Sequence, residues 1–381
     1  MAITAFTEEN NGVSPLTQKL RDQISSAGPI PFREFMTTAL YDEAYGYYAG
    51  NQQRVGKNGD FITSVSVGRC FGLILAHRLE RYWHKIGRPK VFHMIEPGAH
   101  DAALSLDILS EIHDAMPDFY RVIHYHLVET TDKLRTAQAE TLAPLHAEKF
   151  SIHHSLKKIN GVTGAIISNE LIDAFPVDLI RFFQGEWQLL SVVLDADAQF
   201  KLSPTPLSVE DSHLIAFCEK LSEKADFPEG YTTEYQPSLK SYTAEASAAL
   251  AKGLFITVDY GHHAEDYYHP DRSEGTLQTY HDHQKSDNPL AAPGEIDITC
   301  HVDFTRLCHE AEAAGFQLNS LGTQASYLTR HAKDWLLSLE KVLTPETPAL
   351  LRQFQTLTHP SMLGTRFMVL EMEKRLTDSP R

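Results

Sequence analysis

An α/β fold, a mostly parallel sheet with helices on both faces, is what this chain predicts, and three observations predict it. Short apolar runs ending in polar residues alternate with helix-patterned segments in the central region, as strands joined by helical crossovers do. The run Gly253 to Tyr260, GLFITVDY, is rich in β-branched and aromatic residues and stops at Gly261, which marks the best-formed strand of the chain. Between Val91 and Leu109 an apolar strand pattern ends in Glu96, turns through Gly98 and opens into a helix marked by Leu104, Ile108 and Leu109. Sheets of this kind bind ligands at the carboxyl ends of their strands, and the strand ends here carry Glu96, Glu129, Asn169-Glu170 and Asp259.

Taken in chain order, Ser14 and Pro15 open a helix with Leu16, Leu20 and Ile24 on one face, since a serine hydroxyl can cap a first turn that proline also suits. GPIPFREFMTTALYDEAYGYY then reads as a helix and a long structured loop. Its Phe32, Phe35, Tyr41, Tyr45, Tyr47 and Tyr48 suit packing first and ligand stacking second. The loop ends in Gly59-Asp60-Phe61, then Thr63 and Ser64, a compact hydrogen-bonding group before the next helix.

The glycine turn, PGAHDAA, has His100, Asp101 and Ala103 where a dinucleotide loop wants small residues, so a pyrophosphate fits poorly. An ordinary strand-turn-helix unit is the alternative. Arg121 to Val128 alternates toward Glu129, which lies further beyond Gly98 than the roughly 20 residues of a dinucleotide fold. An acid at the end of the second strand can accept two ribose hydroxyls. Together these features favour an adenosine ligand without pyrophosphate, such as S-adenosylmethionine; a solvated acid at a strand terminus is the plain alternative. A helix follows through Leu134 and Ala137, and Gly164 to Ser168 forms a further strand ending in Asn169-Glu170.

From about Asp178 to Ala251 an insertion separates the fourth and fifth strands. Its first part is a hairpin turning at Gln184-Gly185-Glu186, expected to cover one side of the cleft. After the fifth strand, GTLQTYHDHQKSDNPLAAPGEIDITCHVDF is too long for a plain connection and too patterned for disorder, which makes it a candidate lid. RFMVLEMEK supplies a final strand. With no repeat or linker, residues 1–381 read as one catalytic unit: an extension (14–88), a core (89–177 and 252–381) and the insertion (178–251).

The chain has 381 residues, 42% hydrophobic and 22% charged, which is ordinary for a globular enzyme. A formal charge of -16 argues against nucleic acid or an anionic membrane as the main partner. No stretch is long and apolar enough to span a bilayer, and the N-terminus resembles neither a signal nor a transit peptide, so the expected location is the cytoplasm. Cys70, Cys218, Cys300 and Cys308 form no CxxC pair and read as reduced thiols. His262, His263, His269, His281, His283 and His301 crowd one region without an HExxH pattern, and no metal is expected.

GPIPFREFMTTALYDEAYGYY, NGDFITS, the glycine turn with Glu96, SNELIDAFPV, VDYG, GTLQTY and PGEIDITCHVDF occur in an order and spacing that resemble the MidA family, related to the mitochondrial complex I assembly arginine methyltransferase. The matching segments span about residues 28 to 304. The resemblance implies a Rossmann-like class I methyltransferase that uses S-adenosylmethionine, with a helical N-terminal extension and a long insertion, and methylates an arginine of a protein substrate. The chain departs from the family's GPGxG turn, where only Gly98 remains, and has Val65-Ser66 where many members have Pro-Glu.

Methylating a guanidinium requires carboxylates that grip its planar fork and localise electron density on the attacking nitrogen. Glu170 and Asp173, three apart at the expected start of a helix beside Asn169, are the candidates for that grip, with Asp60 and Asp303 as further acids. The competing assignment makes Asn169 and Asp173 helix caps and has Glu170 favour the helix dipole. Cofactor contacts are assigned to Glu96, Gly98, His100, Asp101, Glu129, Gly59 and Thr63, and the substrate loop to Asp297, Thr299, His301 and Asp303. The alternative function is a non-catalytic protein-binding or assembly factor on the same fold, with a nucleotide-dependent oxidoreductase a distant third.

Overall fold

The computed structural model describes residues 13–49, 63–281, 284–286, 288–341 and 343–376. Its central sheet contains β1 (Phe92–Pro97), β2 (Ile123–Val128), β3 (Phe150–His153), β4 (Val162–Asn169), β5 (Leu250–His262), β6 (Gln317–Thr323) and β7 (Phe367–Lys374). The spatial order is β6-β7-β5-β4-β1-β2-β3, with β7 antiparallel to both neighbours and the strands from β5 to β3 paired in parallel. The chain leaves β1 toward one edge and returns at β4 toward the other. That reversal opens a crevice between the carboxyl ends of β1 and β4, where such sheets hold ligands.

The sheet is buried on both faces, which is why its strands are continuous apolar runs. Met94 and Ile167 enter one core with Phe71, Ile108 and Val258; their neighbours Ile95 and Ile166 enter the other with Phe255, Phe304 and Leu370. Gly164 shows how closely β4 lies against β1. A Cβ there would sit 1.7 Å from the His93 carbonyl oxygen, so no side chain fits. Helices α3 (Cys70–Lys85) and α4 (Ala103–Ala115) pack together on the first face.

Helix α1 (Pro15–Ala27) begins as its sequence dictates, with Ser14 Oγ accepting the Thr17 N–H at 3.2 Å and Leu16, Leu20 and Ile24 buried. Helix α2 (Phe32–Tyr41) follows. Both pack on the expected hairpin, Asp178–Phe183 and Glu186–Leu194, whose two-residue turn places Gln184 and Gly185 at φ 54° and 82°. Phe32, Phe35, Leu190, Val192, Ile296 and Ile298 form a third core there, joining the N-terminal extension, the hairpin and the segment before Phe304.

Two strands are additional to those expected, and two local expectations change. The edge strand β3 and the strand β6 have no strong apolar alternation: every β3 residue is half-buried and the first three residues of β6 are exposed. No helix follows Asn169; residues 170–176 run as turns. The segment from Pro293, expected as part of a lid, is packed into the fold: Ile296, Ile298 and Cys300 are buried and Asp297–Thr299 pairs with Gln278–His281. Among the described residues no helix is long and apolar enough to cross a membrane, and no His, Cys, Asp and Glu group is arranged to hold a metal.

Candidate active site

A cavity of about 2260 Å³ lies at the carboxyl ends of β1, β2, β4 and β5. It brings together Thr63, Glu96, Gly98, His100, Asp101, Glu129, Asn169, Glu170, Asp173, Asp297, Thr299 and His301, so most of the residues read from the sequence line one cavity. Gly59 and Asp60 lie outside the described residues.

On the β1–β2 side the backbone turns tightly at Gly98, φ 69°, whose N–H donates to the Val128 carbonyl at 2.9 Å. The positive φ is what favours glycine here; a Cβ would come within 2.6 Å of Leu171 Cδ1, the movable end of a side chain. His100 and Ala102 hold left-handed conformations, φ 44° and 66°, where a glycine-rich turn would carry no side-chain strain. The turn thus keeps the backbone shape of such a loop without its glycines. Asp101 is drawn into holding α4, accepting the Ala103 N–H at 3.1 Å.

Glu96 is buried and its Oε2 accepts the hydroxyls of Tyr125, at 2.6 Å, and Ser105. Burial pushes its carboxyl up to about 7, and the two hydroxyls only partly offset that. One of its oxygens therefore ties β1 to β2 and α4. Glu129 is also buried and pushed up by burial, with Oε1 accepting the Thr131 N–H at 3.1 Å. Glu129 lines the cavity at the end of β2.

The β4–β5 side is organised by an acid at the end of β5. Asp259 is fully buried; its Oδ2 accepts the N–H groups of Leu171, Ile172 and Asp173 at 2.9–3.3 Å, and Oδ1 that of Tyr260 at 2.8 Å. This distant carboxyl caps the 170–174 turn, so neither the expected helix nor its proposed caps at Asn169 and Asp173 exist. Glu170 sits at φ 49°, an uncommon conformation for a non-glycine residue and one that recurs at functional sites. Its Oε1 accepts from Asn169 Nδ2 at 2.9 Å and the Ser64 N–H at 3.3 Å, and burial, with Asp259 nearby, pushes it up to about 8.

Asp173 is 7% exposed, and no side-chain donor reaches its carboxyl among the described residues. Burial first, then Asp259 and Glu170, hold it well above the usual carboxylate range. Asn169 Oδ1 is likewise buried without a partner. Across the cavity Tyr48 donates to Asp297 at 3.1 Å, and His301 Nδ1 lies 3.0 Å from His262 Nε2.

Thr63 closes a local turn with Ser66 through bonds of 2.8 and 2.9 Å at the cavity edge. Asp303 does not belong to the site. It caps the helix Phe304–Ala313, accepting the Arg306 N–H at 3.0 Å and the Tyr268 hydroxyl at 2.9 Å. The sequence named Asp259 only as a strand-end acid, Ser64 only within a hydrogen-bonding group, Tyr41 and Tyr48 as packing first and ligand stacking second, and His262 only within the histidine-rich region.

Comparison with known proteins agrees with this geometry. Residues 74–323 match the model of a family described as S-adenosyl-L-methionine-dependent methyltransferases. A Drosophila melanogaster relative, the protein arginine methyltransferase NDUFAF7 homolog, is 28% identical over 97% of this chain and 87% of its own. The Mus musculus protein arginine methyltransferase NDUFAF7 is 29% identical over 94% and 84%. A superfamily member from Burkholderia thailandensis, solved bound to S-adenosyl-homocysteine, is 27% identical with a TM-score of 0.84, covering 96% of this chain and 92% of that one. Both curated relatives are mitochondrial proteins, which overturns the expectation of a cytoplasmic location. With a fold and a strand-end cavity in agreement with that match, the chain belongs to this S-adenosyl-L-methionine-dependent methyltransferase family.

Proposed function

We propose that this chain, as a MidA-type member, methylates an arginine side chain of a protein substrate. The observation that carries the reading is the wall formed by Asn169, Glu170 and Asp173, where, among the described residues, the buried Asn169 Oδ1 has no partner and the buried Asp173 carboxyl has the Ala174 N–H but no side-chain donor. Buried acceptors are normally satisfied, so such a wall suits an incoming donor-rich cation. Names of the curated relatives, protein arginine methyltransferases, support the same acceptor.

The residues on the β1–β2 side fit the cofactor. The turn at Gly98 gives a close backbone approach, and Glu129 offers acceptor capacity for ribose hydroxyls. When bound, S-adenosylmethionine supplies a methyl group on a positively charged sulfur. The protein's contribution is orientation, proximity and proton acceptance.

A guanidinium remains charged before and after methylation, so each transfer must release one proton from the attacked nitrogen. Raising Glu170 from 4.5 to about 8 means that ionising it in the empty site costs roughly 5 kcal/mol more than it does in water. A guanidinium about 4 Å away returns ~4 kcal/mol at an effective dielectric of 20. The two magnitudes nearly balance. Glu170 therefore keeps its proton while the site is empty, ionises as the cation enters, and can take a proton back when the nitrogen loses one.

The test is methyl transfer from labelled S-adenosylmethionine into protein, read as methylarginine by mass spectrometry in cells with and without the gene. Loss of a specific methylarginine on deletion supports the proposal. Transfer only to small molecules, with no methylarginine lost, contradicts it.

A further inference from the structure

Helix α2 ends at Tyr41, and the chain turns through Asp42, whose Oδ1 accepts the N–H groups of Ala44 and Tyr45 at 3.1 and 3.0 Å, before reaching Tyr47 and Tyr48. The Tyr41 and Tyr48 rings lie 5.4 Å apart at 31°, and Tyr47 braces Tyr48 edge-on at 5.2 Å. Each hydroxyl is tied to the acidic side of the cavity. Tyr41 donates to the Ala174 carbonyl at 2.8 Å, one residue from Asp173, and Tyr48 donates to Asp297 at 3.1 Å.

Tyr41 nevertheless remains 40% exposed while lining the cavity. A core aromatic would be covered, and a surface tyrosine would not be anchored at its tip. This ring is held rigid with part of its surface open. An independent observation marks the same place as a ligand site: Asp173, beside the Tyr41 anchor, is 7% exposed, and its carboxyl has no side-chain donor among the described residues.

We infer that Tyr41, Tyr48, Asp173 and Asp297 form the chamber that receives the acceptor's side chain, with a guanidinium lying over the open face of Tyr41 and its N–H groups directed at Asp173. The inference rests on the arginine reading and extends it to residues 41 and 48, which lie outside the family match at 74–323. A planar guanidinium suits this chamber because it can stack on an aromatic face and donate in its own plane to a carboxylate. A ureido group of the same shape has no charge to offer either partner.

The test is calorimetry of the full chain saturated with S-adenosylhomocysteine, titrated with N-acetyl-arginine amide and with N-acetyl-citrulline amide. The arginine probe should bind at least about tenfold more tightly than the citrulline probe, and Tyr41→Leu should weaken arginine binding about tenfold, with Tyr41→Phe losing less than about threefold. Affinity for S-adenosylhomocysteine should be unchanged in both variants, which also reports that they fold. Equal binding of the two probes by the natural protein, no binding of the arginine probe, or full affinity in a folded Tyr41→Leu would each overturn the chamber. If protein methylarginine forms and Tyr41→Leu leaves its KM unchanged, the chamber falls and the arginine reading stands. If the probe binds through Tyr41 but no arginine is methylated, the reading falls and the chamber stands.

Discussion

The two sides of the cavity treat their polar groups in opposite ways. At the ends of β1 and β2, acids are drawn into the protein's own hydrogen bonds: Glu96 by Ser105 and Tyr125, Asp101 by the first turn of α4, and one oxygen of Glu129 by Thr131. At the ends of β4 and β5, Asp259 satisfies four backbone groups, while Asp173 and Asn169 Oδ1 are left without a side-chain donor. The difference teaches that the first side is preassembled for a ligand of fixed shape. On the proposed function, the second side holds acceptors in reserve for a cation.

The largest expected effect breaks the second side alone. Glu170→Gln keeps the shape and removes the charge, so methylation should fall by about a thousandfold while affinity for S-adenosylhomocysteine is unchanged. Its stability should move the other way. A carboxyl raised to about 8 in the fold favours folding below its unfolded value near 4.5, and that contribution is lost as pH rises through 8. Glu170→Gln should therefore match the natural protein's melting temperature at pH 5 and exceed it at pH 8.5. A lower melting temperature at both pH values, with turnover retained, would make Glu170 a structural residue.

Breaking the first side should give the complementary pattern. Glu129→Ala should weaken S-adenosylhomocysteine binding about ten- to hundredfold, since charge-assisted hydrogen bonds contribute roughly 1.5 to 3 kcal/mol each. Unchanged affinity in calorimetry would remove Glu129 from the cofactor site. Gly98→Val would be less informative here, because a β-branched residue at φ 69° would strain the turn itself.

The first side was largely legible in the sequence because its parts are local. A strand, one glycine and a helix lie within Val91 to Leu109, and Glu129 follows at the end of the next strand. Even so, the positive φ of His100 and Ala102 could not be read from residue types that rarely adopt it. The second side was legible only as scattered strand ends, since it joins Tyr41, Ser64, Asn169, Asp259 and Asp297 across more than half of the chain. Asp173 lines the cavity by another local route than the sequence suggests: a helix was expected, and a turn capped by Asp259 is found. Strands β3 and β6 escaped notice because edge strands and partly exposed strands carry no continuous apolar run.

Smaller effects sharpen the boundary of the site. Asp303→Ala should lower stability by about 1 kcal/mol, the usual effect of losing a helix cap, while leaving the methylation rate per folded molecule unchanged. A selective loss of turnover would return Asp303 to the site. Limited proteolysis should spare residues 293–304 with or without cofactor, because Ile296, Ile298 and Cys300 are held in a core. Cleavage there only in the absence of cofactor would restore a moving lid.

The most direct test of an acidic wall that ionises for its cation is the pH dependence of kcat/KM for arginine methylation, which reports groups on the free enzyme. With Glu170 raised to about 8, kcat/KM should climb about tenfold per unit from pH 6 and level off above 8, and Glu170→Gln should be low and flat. A natural enzyme whose kcat/KM is flat from pH 6 to 9 would contradict the account.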